Sequence, residues 1–224
     1  MQPDNRDIHH ASTLRGLSRP AAVSAFLFML VTGIGYPMLT TGTARLLFPD
    51  QSQGSLIRRG GAVVGSTLIG QDFTQPWYFH PRPSATLGTD PSDPRKTVDQ
   101  PYNAAASGAS NLGPTSGKLT DQVKSRIDAY RLENGLTANA LVPVDAVTAS
   151  ASGLDPDISI ANARLQAKRI AGARGVPTQK IMALIAQTTT PRQWAVLGEP
   201  RINVLRINLA LDASFPRAAP GQTR

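Results

Sequence analysis

The stretch Pro20–Ala44, PAAVSAFLFMLVTGIGYPMLTTGTA, carries no charged residue, and Arg19 and Arg45 close it on either side. Coiled as a helix at about 1.5 Å per residue it reaches roughly 37 Å, more than the hydrocarbon thickness of about 30 Å. A buried core helix of this length normally keeps a polar face, and this stretch has none. A cleaved signal sequence has a shorter apolar region, about 7–15 residues, followed by a small-x-small site. Thr41-Gly42-Thr43 is a poor version of such a site. The stretch reads as a single membrane anchor, taken here as residues 19–45. Gly33, Gly35 and Pro37 lie inside it. Pro37 has no N–H and crowds the preceding turn, which predicts a kink near Gly33–Tyr36. Lipid leaves freed carbonyls unsatisfied, so a kink is best tolerated beside another helix, which small residues let approach. Glycine and proline are also simply common in membrane helices.

Around the anchor the 224-residue chain divides into an N-terminal arm (1–18), one domain (46–213) and a tail (214–224). The arm, with Arg6, His9, His10 and Arg15, shows no periodicity and is expected to be flexible. The Pro/Ala/Gly-rich tail is expected to fray. The domain is large enough to bury a core without disulfides. The absence of cysteine excludes disulfides, thiolate catalysis and Cys-ligated zinc. His9, His10 and His80 form no ligand cluster, so no metal site is expected. A net charge of +8 favours anionic partners such as lipid headgroups, while aromatic residues at 5% offer little for stacking nucleic-acid bases. Arg6, Arg15 and Arg19 before the span balance Arg45, Arg58 and Arg59 after it, so flanking charge does not orient it.

Within the domain, Ser55–Ile57 and Ala62–Val64 flank Gly60-Gly61 and predict a β-hairpin. Ser66–Gly70 extends the strand. Gln75–Gly117 is rich in Pro, Gly, Ser, Asn and Asp and reads as a long irregular segment. It holds an aromatic knot, Trp77-Tyr78-Phe79-His80, pinned on the core, and a polar insertion at Gly88–Gln100. Leu119, Val123, Ile127 and Tyr130 predict an amphipathic helix over Lys118–Asn134, ended by Gly135. Pro143 predicts extended chain over Val142–Ala149. Ser159 caps a helix over Ile160–Arg174, closed by Gly175 and Pro177, and Thr178 caps another that buries Ile181, Leu184 and Ile185. Ile202–Asp212 fits a strand by alternation. Its length and Ala/Leu content favour a helix capped by Asn203 that buries Val204, Leu205, Asn208 and Leu209. The whole is a mixed α/β (α+β) domain on one N-terminal transmembrane helix.

Candidate chemistry is sparse. In Tyr78–Ala85, YFHPRPSA, His80, Arg82 and Ser84 invite a hydrolase reading with His80 serving Ser84 or Ser152. Two prolines hold that backbone extended, so neighbouring side chains diverge. Thr148–Asp157, TASASGLDPD, leads small hydroxyl residues and a glycine toward a helix, as an anion cradle does. It lacks the Gly-x4-Gly-Lys pattern, and Asp155 and Asp157 put negative charge where phosphate would sit. Arg164, Lys168, Arg169 and Arg174 make a basic helix that reads as a solvated face or a surface for acidic lipid or protein. No catalytic site is expected, and a subunit is a better reading than a free enzyme.

Ordered along residues 19–212 are RPA (Arg19–Ala21), TGIGYP (Thr32–Pro37), GSLI (Gly54–Ile57), LIGQDF (Leu68–Phe73), YFHPRPSA (Tyr78–Ala85), PYNAAASGASNLGPTS (Pro101–Ser116), VPVDAVTASASGLDPDIS (Val142–Ser159) and NVLRINLALD (Asn203–Asp212). Together they resemble the C subunit of the potassium-transporting Kdp-type P-type ATPase. The chain departs from that pattern in its longer arm, in Gly88–Gln100, and in Ala104 and Ala109, which replace a typical proline and glycine. The resemblance implies a non-catalytic subunit of a high-affinity potassium uptake pump in the inner membrane. Its partners would be a channel-like potassium-binding subunit, an ATP-hydrolysing subunit, a small accessory helix subunit and membrane lipids, with no nucleic acid. It implies an assembly role and a catalytic chaperone role that raises the ATP affinity of the ATP-hydrolysing subunit, with Ser150, Ser152 and Gly153 as nucleotide contacts and ATP as the shared ligand. It also implies a cytoplasmic N-terminus and an extracytoplasmic domain. The alternatives are an anchored nucleotide-binding regulatory module on the cytoplasmic side and an anchored hydrolase.

Overall fold

A computed structural model describes residues 6–216, and the chain falls into two units divided after Ser55. The first unit is helical: α1 (Arg6–Leu30), a π-helical turn at Val31–Gly35, α2 (Tyr36–Leu47) and a one-turn α3 (Pro49–Ser52). The apolar part, Gly16–Leu47, is long enough to cross a membrane, and none of its most apolar window is buried within the chain. Where a kink is expected near Gly33–Tyr36, the helix carries this π turn. Tyr36 N–H reaches back five residues to Val31 O, and Pro37, which has no N–H to give, follows at once. The helix starts at Arg6, inside the segment expected as a flexible arm. No proline stands between Arg6 and Arg19 to interrupt it. Of the expected tail, α8 reaches Ser214 and Phe215 packs on the core, while residues 217–224 lie outside the described range.

The second unit mixes helices with three separate two-stranded antiparallel ribbons. The expected hairpin is β1 (Leu56–Arg59) paired with β2 (Ala62–Ser66). Gly60 and Gly61 turn it with φ of 58° and 85°, a region that suits glycine. The strand stops at Ser66, which already pairs with Leu56 at the start of β1, short of the expected Gly70, whose N–H bonds Leu154 O instead. Gly88–Gln100 is no formless insertion. It contributes most of a second hairpin, β3 (Leu87–Thr89) with β4 (Thr97–Asp99), whose turn is held by Asp90 and Asp93 bonding Ser92 and Arg95. Helix α4 (Gly117–Glu133) starts on Ser116, whose hydroxyl accepts from Leu119 N–H. Val142–Ala149 was expected extended, yet Val144–Val147 forms one helical turn, α5. Pro143 restrains the residue before it and is itself well suited to open a helix.

The core is built on two strand-cap-helix units. Strand β5 (Asp157–Ser159) runs into α6 (Ile160–Arg174), and β6 (Arg201–Asn203) runs into α8 (Val204–Ser214). The strands pair antiparallel with Ile158 opposite Ile202, and each ends in its helix's N-cap: Ser159 accepts from Asn162 N–H, and Asn203 from Arg206 N–H. Between them comes α7 (Thr178–Thr188), which begins with Thr178 rather than being capped by it. Ile158, Ala163, Ala167, Ile170, Ile181, Ile185, Ile202, Ile207 and Leu211 close around Phe79, which is 0% exposed. The helix reading of Ile202–Asp212 holds from Val204 on. Ile207 and Leu211 are buried besides Val204, Leu205 and Asn208, while Leu209 is only half-buried.

Phe79 enters this core on a segment that belongs to no sheet. Its N–H donates to Asn208 Oδ1 at 2.8 Å and its carbonyl accepts from Asn208 Nδ2 at 3.0 Å. The next residue repeats the arrangement from the other side, with His80 N–H donating to Gln166 Oε1 at 2.7 Å and its carbonyl accepting from Gln166 Nε2 at 3.1 Å. Two buried side-chain amides thus replace neighbouring strands. Asn208→Ala strips both Phe79 groups of partners and is expected to cost about 2–4 kcal/mol, lowering the melting temperature by roughly 5–15 °C. Arg206→Ala on the exposed side of α8 is expected to shift it little, and equal melting of the two variants would contradict the role given to Asn208.

Candidate functional site

Some of the residues singled out in the sequence, Arg82, Ser84, Gly153, Asp155 and Asp157, gather in one part of the domain, where they hold one another. Arg82 donates to Asp155 Oδ2 at 2.6 Å, and Asp155 Oδ1 accepts from Asp157 N–H. Tyr102 donates its hydroxyl to Arg82 O and its N–H to Ser84 Oγ, and burial, with the charge of Asp155, pushes its phenol far up. Ser84 Oγ donates to Gly153 O at 2.8 Å. Arg82 stands between two open clefts. One, of about 510 Å³, is lined by His80, Tyr102, Arg126 and Glu133 among others. The second, of about 590 Å³, is lined by Leu68, Ser150, Ser152 and Pro156 among others.

His80 and Ser84 are not brought together as a dyad. Both ring nitrogens of His80 are engaged elsewhere, Nδ1 with Glu133 Oε1 at 2.6 Å and Nε2 with Gln75 O at 2.9 Å. That hydrogen bond holds the Glu133 carboxyl below the usual range, with Arg169 adding to it. The Ser84 hydroxyl donates its hydrogen bond to the Gly153 carbonyl. His80 and Ser84 are thus each committed to other partners, while Ser152, the other serine of that reading, is exposed and accepts from Leu154 N–H.

The SASGLD loop is fastened on every side. Gly153 N–H bonds Ser150 O and Leu154 N–H bonds Ser152 Oγ, so these amides serve the loop itself. Ser152 O accepts from Gly108 N–H and Ser107 Oγ, and Leu154 O accepts from Gly70 N–H. Ser150 is buried and Ser152 is exposed. Gly153 has φ of 68°, and a methyl group there would stand 2.5 Å from Thr86 Cγ2 and 2.7 Å from Gly108 O. The small residues of this loop thus meet the requirement of close backbone packing between three distant segments. Burial raises the Asp157 carboxyl above its usual range, with Asp155 adding and Arg201, at 2.8 Å, opposing.

The basic helix is corrected in half of its members. Arg164 and Lys168 are exposed, as a solvated face would be. Arg169 turns inward and donates to Pro76 O, Tyr78 O, Asn134 Oδ1 and Gln166 Oε1. The Arg174 side chain, 0% exposed, donates to Trp77 O, Phe215 O and Asp212, and its guanidinium lies over the Tyr78 ring. Both lash down the aromatic knot, which has too few backbone partners of its own. Asn162, Gln166 and Asp145 went unread in the sequence. Asp145 accepts from Ser159 N–H, Ser159 Oγ and Asn162 Nδ2, tying α5 to the start of α6. The available signal was the i,i+4 pair Asn162 and Gln166 beside Ala163, Ala167 and Ile170, polar residues on an otherwise apolar face. Gly153→Ala is expected to destabilise the domain by about 2–4 kcal/mol, from left-handed strain and overlap, against a small effect for Ser152→Ala. Denaturant unfolding of the two variants checks this, and a silent Gly153→Ala would contradict the packing role.

The family described as K+-transporting ATPase, c chain (KdpC) matches residues 18–213. The chain is 54% identical over 199 residues to the potassium-transporting ATPase KdpC subunit of Rhodopseudomonas palustris CGA009, covering 89% of this chain and 98% of that one. It is 54% identical over 194 residues to the subunit of the same name in Bradyrhizobium diazoefficiens USDA 110, covering 87% and 95%. The corresponding subunit of Polaromonas naphthalenivorans CJ2 is 52% identical over 208 residues, covering 93% and 100%. With the apolar stretch Pro20–Ala44, the locked SASGLD loop and the clamped YFHPRPSA segment all inside the matched range, this chain belongs to the KdpC family of potassium-transporting ATPase c chains.

Proposed function

We propose that this chain is the membrane-anchored, non-catalytic C subunit of a potassium-transporting ATPase and that it assembles the pump through its anchor. The carrying observation is a cleft of about 390 Å³ along one side of that helix, lined by Gly33, Ile34, Pro37, Met38, Thr41, Gly42 and Arg45. A π turn beside small residues opens a groove that the ridge of another helix can fill. Thr32, Thr40 and Thr43 donate back to carbonyls of their own helix, so they need no outside acceptor. In this reading the partners are the channel-like and ATP-hydrolysing subunits and the accessory helix. The N-terminus lies in the cytoplasm and the domain outside it, at the inner membrane. The rise in ATP affinity then works through subunit contacts. Direct contact of ATP with Ser150, Ser152 and Gly153 draws support from the exposed Ser152 beside the larger cleft, and is opposed by loop amides already bonded within the chain.

A side chain added at Gly33 or Gly42 meets nothing within 4 Å in this chain. Gly33→Leu and Gly42→Leu therefore test the groove without disturbing the subunit itself. Both variants are expected to insert into the membrane normally and to recover the other pump subunits several-fold less well in co-purification. Undiminished recovery by both would overturn the assembly reading.

A further inference from the structure

The loop between α7 and β6 presents an apolar tip that the domain does not use. Trp194 is 85% exposed and Val196 70%, with Leu197 half exposed beside them. The tip is built to hold that shape. Gln193 and Leu197 exchange backbone hydrogen bonds at 2.9 Å in both directions, and Val196 N–H closes a turn onto Gln193 O. Below it Arg192 makes a two-pronged contact with Glu199 at 2.6 and 2.8 Å, and Thr190 pairs with Arg201. The central residues of the turn, Trp194 and Ala195, have φ of 49° and 64°, a left-handed pair normally left to Asn-Gly. The fold thus accepts strain at two non-glycine residues and keeps a tryptophan in water. Such outliers point to function when they recur at an exposed site.

We infer that this tip inserts into the interfacial layer of the lipid bilayer as a second membrane contact of the domain. The inference rests on the reading of Pro20–Ala44 as a membrane span. Only Phe48–Ser55 separates the helix end at Leu47 from the first strand, a tether that reaches roughly 30 Å even fully extended. On the span reading, that tether limits how far the first strand can lie from the bilayer. Tryptophan prefers the headgroup level, where its ring is apolar and its N–H is wet. Val196 and Leu197 extend the apolar surface, and the Arg192–Glu199 pair removes net charge from its base. The chain's net charge of +8 adds attraction to anionic headgroups.

The chain has two tryptophans, so Trp77→Phe leaves Trp194 as sole emitter and Trp194→Phe leaves Trp77. The full chain of each variant is reconstituted into phosphatidylcholine–phosphatidylglycerol vesicles with and without lipids brominated high on the acyl chains. Trp194 emission is expected to lie to the blue of exposed tryptophan and to lose most of its intensity to bromine, whereas Trp77 keeps its own. Adding Val196→Asp and Leu197→Asp should restore the Trp194 emission. Unquenched, red-shifted Trp194 in a chain that floats with the vesicles overturns the inference alone. Protection appearing only when the other pump subunits are present assigns the tip to a protein surface and overturns it too. A chain that fails to float removes the span reading and the inference with it.

Discussion

A backbone segment that crosses an apolar core must find partners for every N–H and C=O it carries, because each one left bare costs about 1–3 kcal/mol. In this domain Phe79 and His80 cross the core with no strand beside them. Asn208 from α8 and Gln166 from α6 take the place of strands, each offering one acceptor and one donor to one residue. Further bonds fix the amides themselves. Gln166 donates to Asn162 Oδ1 and accepts from Arg169, and Asn162 Oδ1 also accepts a hydrogen bond from the Tyr130 hydroxyl on α4. Arg169 and Arg174 then collect the carbonyls of Pro76, Trp77 and Tyr78 just upstream. Each amide oxygen and nitrogen at its centre has a partner, which favours one arrangement of the buried polar groups.

The segments richest in small polar residues likewise spend those groups on one another. YFHPRPSA, PYNAAASG and SASGLD bind one another: Ser84 to Gly153, Tyr102 to Arg82 and Ser84, Ser107 and Gly108 to Ser152. Hydroxyls and amides that an active site would leave free are committed to folding a region with little regular structure. The apolar N-terminal helix shows the same economy, with threonine hydroxyls satisfied inside the helix and glycines left open along a groove.

Helices and their caps were legible in the sequence because their signals are local. Ser159, Asn203 and Gly175 act as read, with Gly175 left-handed at φ of 65°. Gly60-Gly61 announced a hairpin for the same reason. The second hairpin was hidden, because Thr97–Asp99 and Leu87–Thr89 are too short and polar to show alternation. Val144–Val147 was misread because proline's effect on the residue before it was extended to those after it. Arg169 and Arg174 looked like solvated cations, and only the long-range geometry shows carbonyls about 90 residues away awaiting them. The SASGLD glycine is required, but by Thr86 and Gly108 pressing on it, which no spacing within the motif could reveal.

Native-state amide hydrogen exchange at Phe79 and His80 is the most direct measure of the clamp, since neither amide is protected by a helix or sheet. If Asn208 and Gln166 hold them as described, both amides exchange only through global unfolding, at rates matching Ile170 in the centre of α6. Exchange at the rate of an exposed loop, with α6 still protected, would show that the segment opens by itself and would contradict the organisation of the domain around it.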